Sequence, residues 1–224
     1  MKRSIVRTDE QVQRDVLEEL KWEARVQPNE VGVTVQDCVV TLTGWVDNYG
    51  KKWTAERTAH RVSGVRAVAN DIEVRLPTSA ERTDADLAGA STRALEWDAF
   101  VPIDRLDVTV SRGWVTLKGE VEWEYQRRSA ERAVRRLAGV RGLTNLVTVR
   151  PGVQPSPPEV RRSIEDALVR NAETDAGQLT VEVEGDRVIL AGPVRSWSEK
   201  QEAERVAWSA PGVAAVDNRI VVTI

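Results

Sequence analysis

The chain has 224 residues and a net charge of −3, with 41% hydrophobic and 30% charged residues, the balance of an ordinary soluble protein. The acidic sum argues against nucleic acid as the main partner, because that needs a basic footprint. A lone cysteine, Cys38, excludes a disulfide framework and any multi-thiolate metal site.

The first predicted helix starts behind Thr8, an N-cap residue followed three positions later by Gln11. It carries Val12, Val16 and Leu20 at i, i+4 and i+8. Val31, Val33 and Val35 then alternate with polar residues, as in a half-buried strand. A short turn at Gln36-Asp37 reverses the chain, and the return strand places Val40, Leu42 and Val46 on one face. Gly44 falls in phase with that face, so close approach of a helix, or a bulge, is expected there. The second helix has a stripe of small residues, Ala55, Thr58, Ala59 and Val62, suited to lying close on a sheet. Gly64 fits the left-handed position that ends a helix, with Val65 closing the hydrophobic contact. Val68, Ile72 and Val74 form a last strand, and Asn70 shares their phase.

This series recurs twice, with periods of 75 and then 73 residues. Gly119 and Gly192 repeat Gly44; Ala130-Glu131-Arg132 and Ala203-Glu204-Arg205 repeat Ala55-Glu56-Arg57; Gly139 and Gly212 repeat Gly64; Asn145 and Asn218 repeat Asn70. Periods this long are those of tandem small domains rather than of a solenoid. Thr83 and Ser156 are the aligned caps, and Glu159 completes a capping box in the third copy as Gln11 does in the first. The middle copy's first helix is the least marked, with Ser91 between Leu87 and Leu95. Pro211, just before Gly212, predicts that the third copy's second helix ends a turn early. The fold expected is α+β: three tandem α-β-β-α-β modules over residues 1–77, 78–151 and 152–224. Each has two helices on one face of a small three-stranded mixed sheet.

Candidate sites are few. His60 aligns with Arg135 and Trp208, so no catalytic or metal-ligating histidine repeats, and no enzyme constellation or cofactor site is expected. Lys52, Arg127 and Lys200 lie four residues before Glu56, Glu131 and Glu204, the spacing of helix-surface ion pairs. Asn70, Asn145 and Asn218 are expected to satisfy backbone groups. Trp22 and Trp97 align near the end of the first helix, as core or interdomain contacts. Between second strand and second helix lie Tyr49, Trp123, Tyr125 and Trp197, backed by Lys51, Lys52, Arg127, Arg128 and Lys200. Aromatic tips with cations behind them suit an anionic membrane interface, and they equally suit packing against a neighbouring module. Solvent exposure of the aromatics discriminates the two.

The strand glycine, the Ala-Glu-Arg run, the Gly-Val pair and the late asparagine, in this order of elements, resemble the BON domain of bacterial osmotic-stress and nodulation proteins. The resemblance implies a non-enzymatic bacterial module, usually set in the cell envelope and often proposed to bind phospholipid or membrane surfaces. The basic start Met1-Lys2-Arg3 lacks a following apolar stretch, and no run reaches the roughly 18 apolar residues of a membrane span, so a soluble cytoplasmic chain is expected. The expected partner is a phospholipid surface or an envelope-associated protein, with a cytoplasmic protein-interaction scaffold as the alternative.

Overall fold

The computed structural model describes residues 7–27, 29–171 and 176–223. The first module is built of α1 (Asp9–Trp22), β1 (Val31–Gln36), β2 (Val39–Val46), α2 (Tyr49–His60) and a last strand in two pieces, β3 (Ala67–Asn70) and β4 (Glu73–Val74). The second has α3 (Asp84–Trp97), β5 (Leu106–Ser111), β6 (Trp114–Val121), α4 (Glu124–Arg135) and β7 (Gly142–Val149). The third has α5 (Pro157–Arg170), β8 (Thr180–Glu184), β9 (Arg187–Val194), α6 (Trp197–Trp208) and β10 (Ala215–Val222). In each module the first strand pairs antiparallel with the second and the last pairs parallel with the second, giving a mixed sheet. The apolar stripes of the two helices and one sheet face close a separate core in each module.

Local chemistry explains the elements. Gln11, Asp86 and Glu159 each return a side-chain oxygen to the backbone N–H of their cap, so the middle copy also has the capping box, with aspartate in place of glutamate or glutamine. Ser91 is fully buried in the place that Val16 and Ile164 occupy, and α3 forms around it because Leu87 and Leu95 supply the anchor. The first hairpin turns at Asp37-Cys38, one residue later than the sequence suggests, because both adopt positive φ (52° and 62°). That is the left-handed pair of a type I′ turn, which matches the twist of the strands. Asp9, at the start of α1, accepts hydrogen bonds from both turn N–H groups, and Asp84 does the same for Arg112 and Gly113. α6 does not end early. It has 12 residues like α2 and α4, and Pro211 lies in the turn beyond it.

The strand glycines occupy a different contact from the one expected. Gly44, Gly119 and Gly192 have φ of +116°, +130° and +128°. A Cβ there would strike the carbonyl oxygen of Glu30, Arg105 or Gln178, the chain entering the neighbouring strand. The crowding is therefore with backbone across the hairpin, not with a helix.

The three modules meet through their second helices. The C-terminal end of α2 lies on the N-terminal end of α6, where His60 stacks on Trp197 at 4.4 Å and Arg57 donates to Gln201 at 2.9 Å. The C-terminal end of α6 lies on α4, with Trp208 packed against the second module's core and under Arg127. The C-terminal end of α4 lies on α2, with Arg135 3.4 Å from the Trp53 ring centre and Tyr49 against the second module's core. Every contact is head to tail, and the third returns to the first helix. The modules thus close a ring with the pseudo-threefold relation of a cyclic trimer.

Candidate binding surface and its relatives

The Ala-Glu-Arg run divides its work between module and ring. In each copy the glutamate accepts from the late asparagine: Asn70 to Glu56 at 2.9 Å, Asn145 to Glu131 at 3.4 Å, Asn218 to Glu204 at 2.9 Å. The same amide donates to the carbonyl of Lys52, Arg127 or Lys200, and its oxygen accepts from the N–H of Ile72, Val147 or Ile220. One asparagine therefore ties the second helix to the last strand. The expected ion pairs four residues apart do not form. Arg127 pairs with Glu124 at 2.7 Å, and Lys200 donates to the Ile220 carbonyl.

The arginine of the run turns the other way. Arg57, Arg132 and Arg205 line a cavity of about 580 Å³ between α2, α4 and α6, together with Trp53, Arg127, Arg128 and Arg135. Trp53 lies between two guanidinium groups, Arg57 at 5.0 Å and Arg135 at 3.4 Å from its centre. Loss of solvent pushes both arginines below their ordinary pKa, and Arg128 and Arg61 add repulsion at Arg57. The recurring arginine was visible in the sequence, but only the ring gives it a common direction.

The aromatic and basic residues expected ahead of the second helices lie in their opening turns, with Trp123 as the N-cap of α4, and they have divided fates. Tyr49 is half-buried against the second module, its hydroxyl pKa raised by burial and by the nearby Glu131 and Glu56 carboxylates. Trp197 is half-buried beneath His60, with Lys200 over its ring at 5.2 Å; burial lowers the Lys200 pKa. Lys51 is held by Glu30 and Asp47 at 3.2 and 3.1 Å. These residues serve packing within and between modules, and Lys52 is half-buried beside them. In the middle module the outcome differs. Tyr125 is 52% exposed and touches both Phe100 (edge-on, 5.9 Å) and Trp123 (6.5 Å), while Phe100 is 62% exposed. Trp123, Tyr125 and Trp208 line a shallow groove of about 610 Å³ with Arg128, Arg132 and Arg205 on its rim. Glu124, buried at its base, pairs with Arg127 and Arg128. Trp22 and Trp97, expected as core or interdomain contacts, point into solvent at 85% and 88% exposure.

His60 gives the ring a pH response. Burial lowers its pKa below the ordinary imidazole value, Arg57 adds to the shift, and Glu56 opposes it. The stacked neutral ring therefore stabilises fully above the ordinary imidazole pKa. That contribution is lost as pH falls through the lowered one. Acidification from about pH 7 to about pH 5 is expected to loosen the contact between first and third modules, read as a change in tryptophan fluorescence. His60→Phe should abolish the change, and a wild-type signal flat across that range would contradict the assignment.

A family model for the BON domain matches residues 8–75, 83–151 and 158–224. The chain belongs to the BON domain family. The strand glycine, the glutamate–asparagine tie and the Gly-Val turn thus form the shared frame of three BON domains, while the loops ahead of α2, α4 and α6 carry their differences. Among curated proteins none matches significantly. Two solved structures are similar to the chain, both of CdsD, a structural protein of the type III secretion system of Chlamydia trachomatis. One is 15% identical at a TM-score of 0.27, covering 94% of this chain and 91% of that one. The other, its C-terminal domain, is 14% identical at 0.27, covering 94% and 96%. Among the described residues no helix is long and apolar enough to cross a membrane, and no cluster of His, Cys, Asp or Glu is built to hold a metal.

Proposed function

We propose that this protein is a non-catalytic binding platform of three BON domains that attaches to anionic phospholipid at the surface of a membrane. The observation that carries the reading is the patch on the middle module. Phe100 and Tyr125 stand exposed in edge-on contact, and Tyr125 and Trp123 share a groove with Arg128, Arg132 and Arg205. Aromatic rings prefer the headgroup level, and cations are drawn to an anionic leaflet at about 1 kcal/mol each. The net charge is −3, so attachment depends on this local patch and is screened by salt. A role in osmotic or envelope stress is the setting such attachment serves.

Co-sedimentation with phosphatidylglycerol-containing and purely zwitterionic vesicles tests the reading. The protein is expected to pellet with the anionic vesicles at low salt and to remain in solution with the zwitterionic ones. Arg128→Gln should weaken binding and flatten its salt dependence. Phe100→Ala with Tyr125→Ala should weaken it at every salt concentration. Failure to pellet with anionic vesicles at low salt would favour a second reading, a protein-interaction scaffold. That reading has its own support in Trp22 and Trp97, which hold equivalent places on two modules and stand almost fully exposed.

A further inference from the structure

The cavity on the ring axis carries more positive charge than its carboxylates balance. Six arginines line it, from residues 57, 127, 128, 132, 135 and 205, against four glutamates, 124, 131, 202 and 204. The glutamates are already engaged. Glu124 pairs with Arg127 and Arg128, Glu131 with Arg135, Glu202 with Arg205, and Glu204 accepts from Asn218. Among the described residues, Arg57 and Arg132 pair with no carboxylate. Arg57 bonds to the neutral Gln201 amide, and Arg132 to the Ser129 hydroxyl.

The placement is threefold. Arg57, Arg132 and Arg205 are the same residue of the same motif, one from each module, and the head-to-tail ring brings them to one cavity. A planar guanidinium donates through a fixed fork that matches the oxygens of phosphate or carboxylate. Like charges drawn together with their solvent partly removed repel one another, and a bound counter-ion relieves that repulsion. Arg57 comes from the first module and Arg132 from the second, while Arg205 of the third lies beside them paired with Glu202, so the ligand would also bridge modules across the ring.

We propose that the axial cavity binds a small, multiply charged, soluble phosphate-type oxyanion, and that this anion fastens the ring. Arg57 and Arg132 are the principal ligands, with Arg128 and Arg205 shared between this cavity and the aromatic patch. The cavity and the patch face different ligands, and residues unique to each separate them.

The test is a thermal-shift and calorimetric titration of the whole chain with pyrophosphate at constant ionic strength, sodium chloride serving as the matched control. Saturable binding is expected, with Tm raised by about 5 °C or more at a hundredfold excess over Kd. Arg57→Gln and Arg132→Gln should each weaken binding at least tenfold and retain the fold by circular dichroism, since both side chains are on the surface of their helices. Arg132→Lys should restore part of the affinity, and Arg150→Gln, remote from the cavity, should leave it unchanged. Tyr125→Ala should leave pyrophosphate binding intact while weakening vesicle attachment, and Arg57→Gln should do the reverse. A rise in Tm equal to that in matched chloride, or binding insensitive to Arg57→Gln and Arg132→Gln, would overturn the proposal. Stabilisation by phosphatidic acid vesicles without any response to pyrophosphate would also overturn it, assigning the charge to a lipid headgroup.

Discussion

Gly119→Ala is expected to unfold the middle module well below the melting temperature of the native chain. Its φ of +130° lies where side chains are strained, and the added Cβ would strike the Arg105 carbonyl oxygen, a backbone atom one residue before Leu106, which pairs with Gly119. Backbone strain of this kind costs about 1–3 kcal/mol, and the clash adds displacement of the strand entry. About 3 kcal/mol in a module of this size corresponds to a loss of roughly 12 °C or more. Gly185→Ala is the matched control. Its φ of +63° is also left-handed, but a Cβ there meets nothing within 4 Å, so the loss should be about 1 kcal/mol. Calorimetry that separates the modules checks both. An equal, small effect at the two positions would show that crowding against Arg105 is not what the glycine is for.

The second large effect is expected from Asn145→Asp. The native amide donates to the Arg127 carbonyl at 3.2 Å and to Glu131 at 3.4 Å, while its oxygen accepts from the Val147 N–H at 3.2 Å. An aspartate keeps the acceptor and turns the donor into a second carboxylate facing Glu131 and a carbonyl. One of the acids must hold a proton, or the repulsion stands, and leaving such groups unmatched costs about 3 kcal/mol. The new carboxyl's folded pKa is raised above its unfolded value. The penalty is therefore absent below the ordinary carboxylate pKa and grows as pH rises through the raised one. Melting curves should bring the variant near the native protein at about pH 4 and separate them at about pH 7. A gap that is constant with pH would mean that Glu131 does not face this position.

Most of the module was legible in the sequence because its signals are periodic and repeated. Val12, Val16 and Leu20, or the alternation at Val31 and Val33, need only secondary-structure spacing to be read, and three aligned copies confirm one another. The asparagines could be recognised as structural, but not their partners. Glu56 and Asn70 are 14 residues apart on different elements, and the nearer lysine offered a simpler explanation. The glycine at 119 could be read as a crowded point, yet the crowding atom lies on a strand entry with no pattern of its own. The site was least visible. Tyr49, Trp197 and Tyr125 stand in the first turns of α2, α6 and α4 rather than in the loops ahead of them, and nothing local distinguishes the two that pack between modules from the one that faces solvent. That difference belongs to the ring, which joins residues such as Arg57 and Gln201 across 144 positions.

The order of closure follows from that separation. First and third modules touch through α2 and α6, so on the ribosome two finished modules must wait for the third before Trp197 can cover His60. Each module has its own core and can fold as it emerges, whereas ring closure needs all three modules. A chain cut short after the second module would hold Trp53 between its arginines but leave the other ends of α2 and α4 bare. Two such fragments could satisfy each other's open ends only by building a larger assembly. The third copy therefore acts as a terminator, turning a head-to-tail contact that would otherwise propagate into a closed object of fixed size.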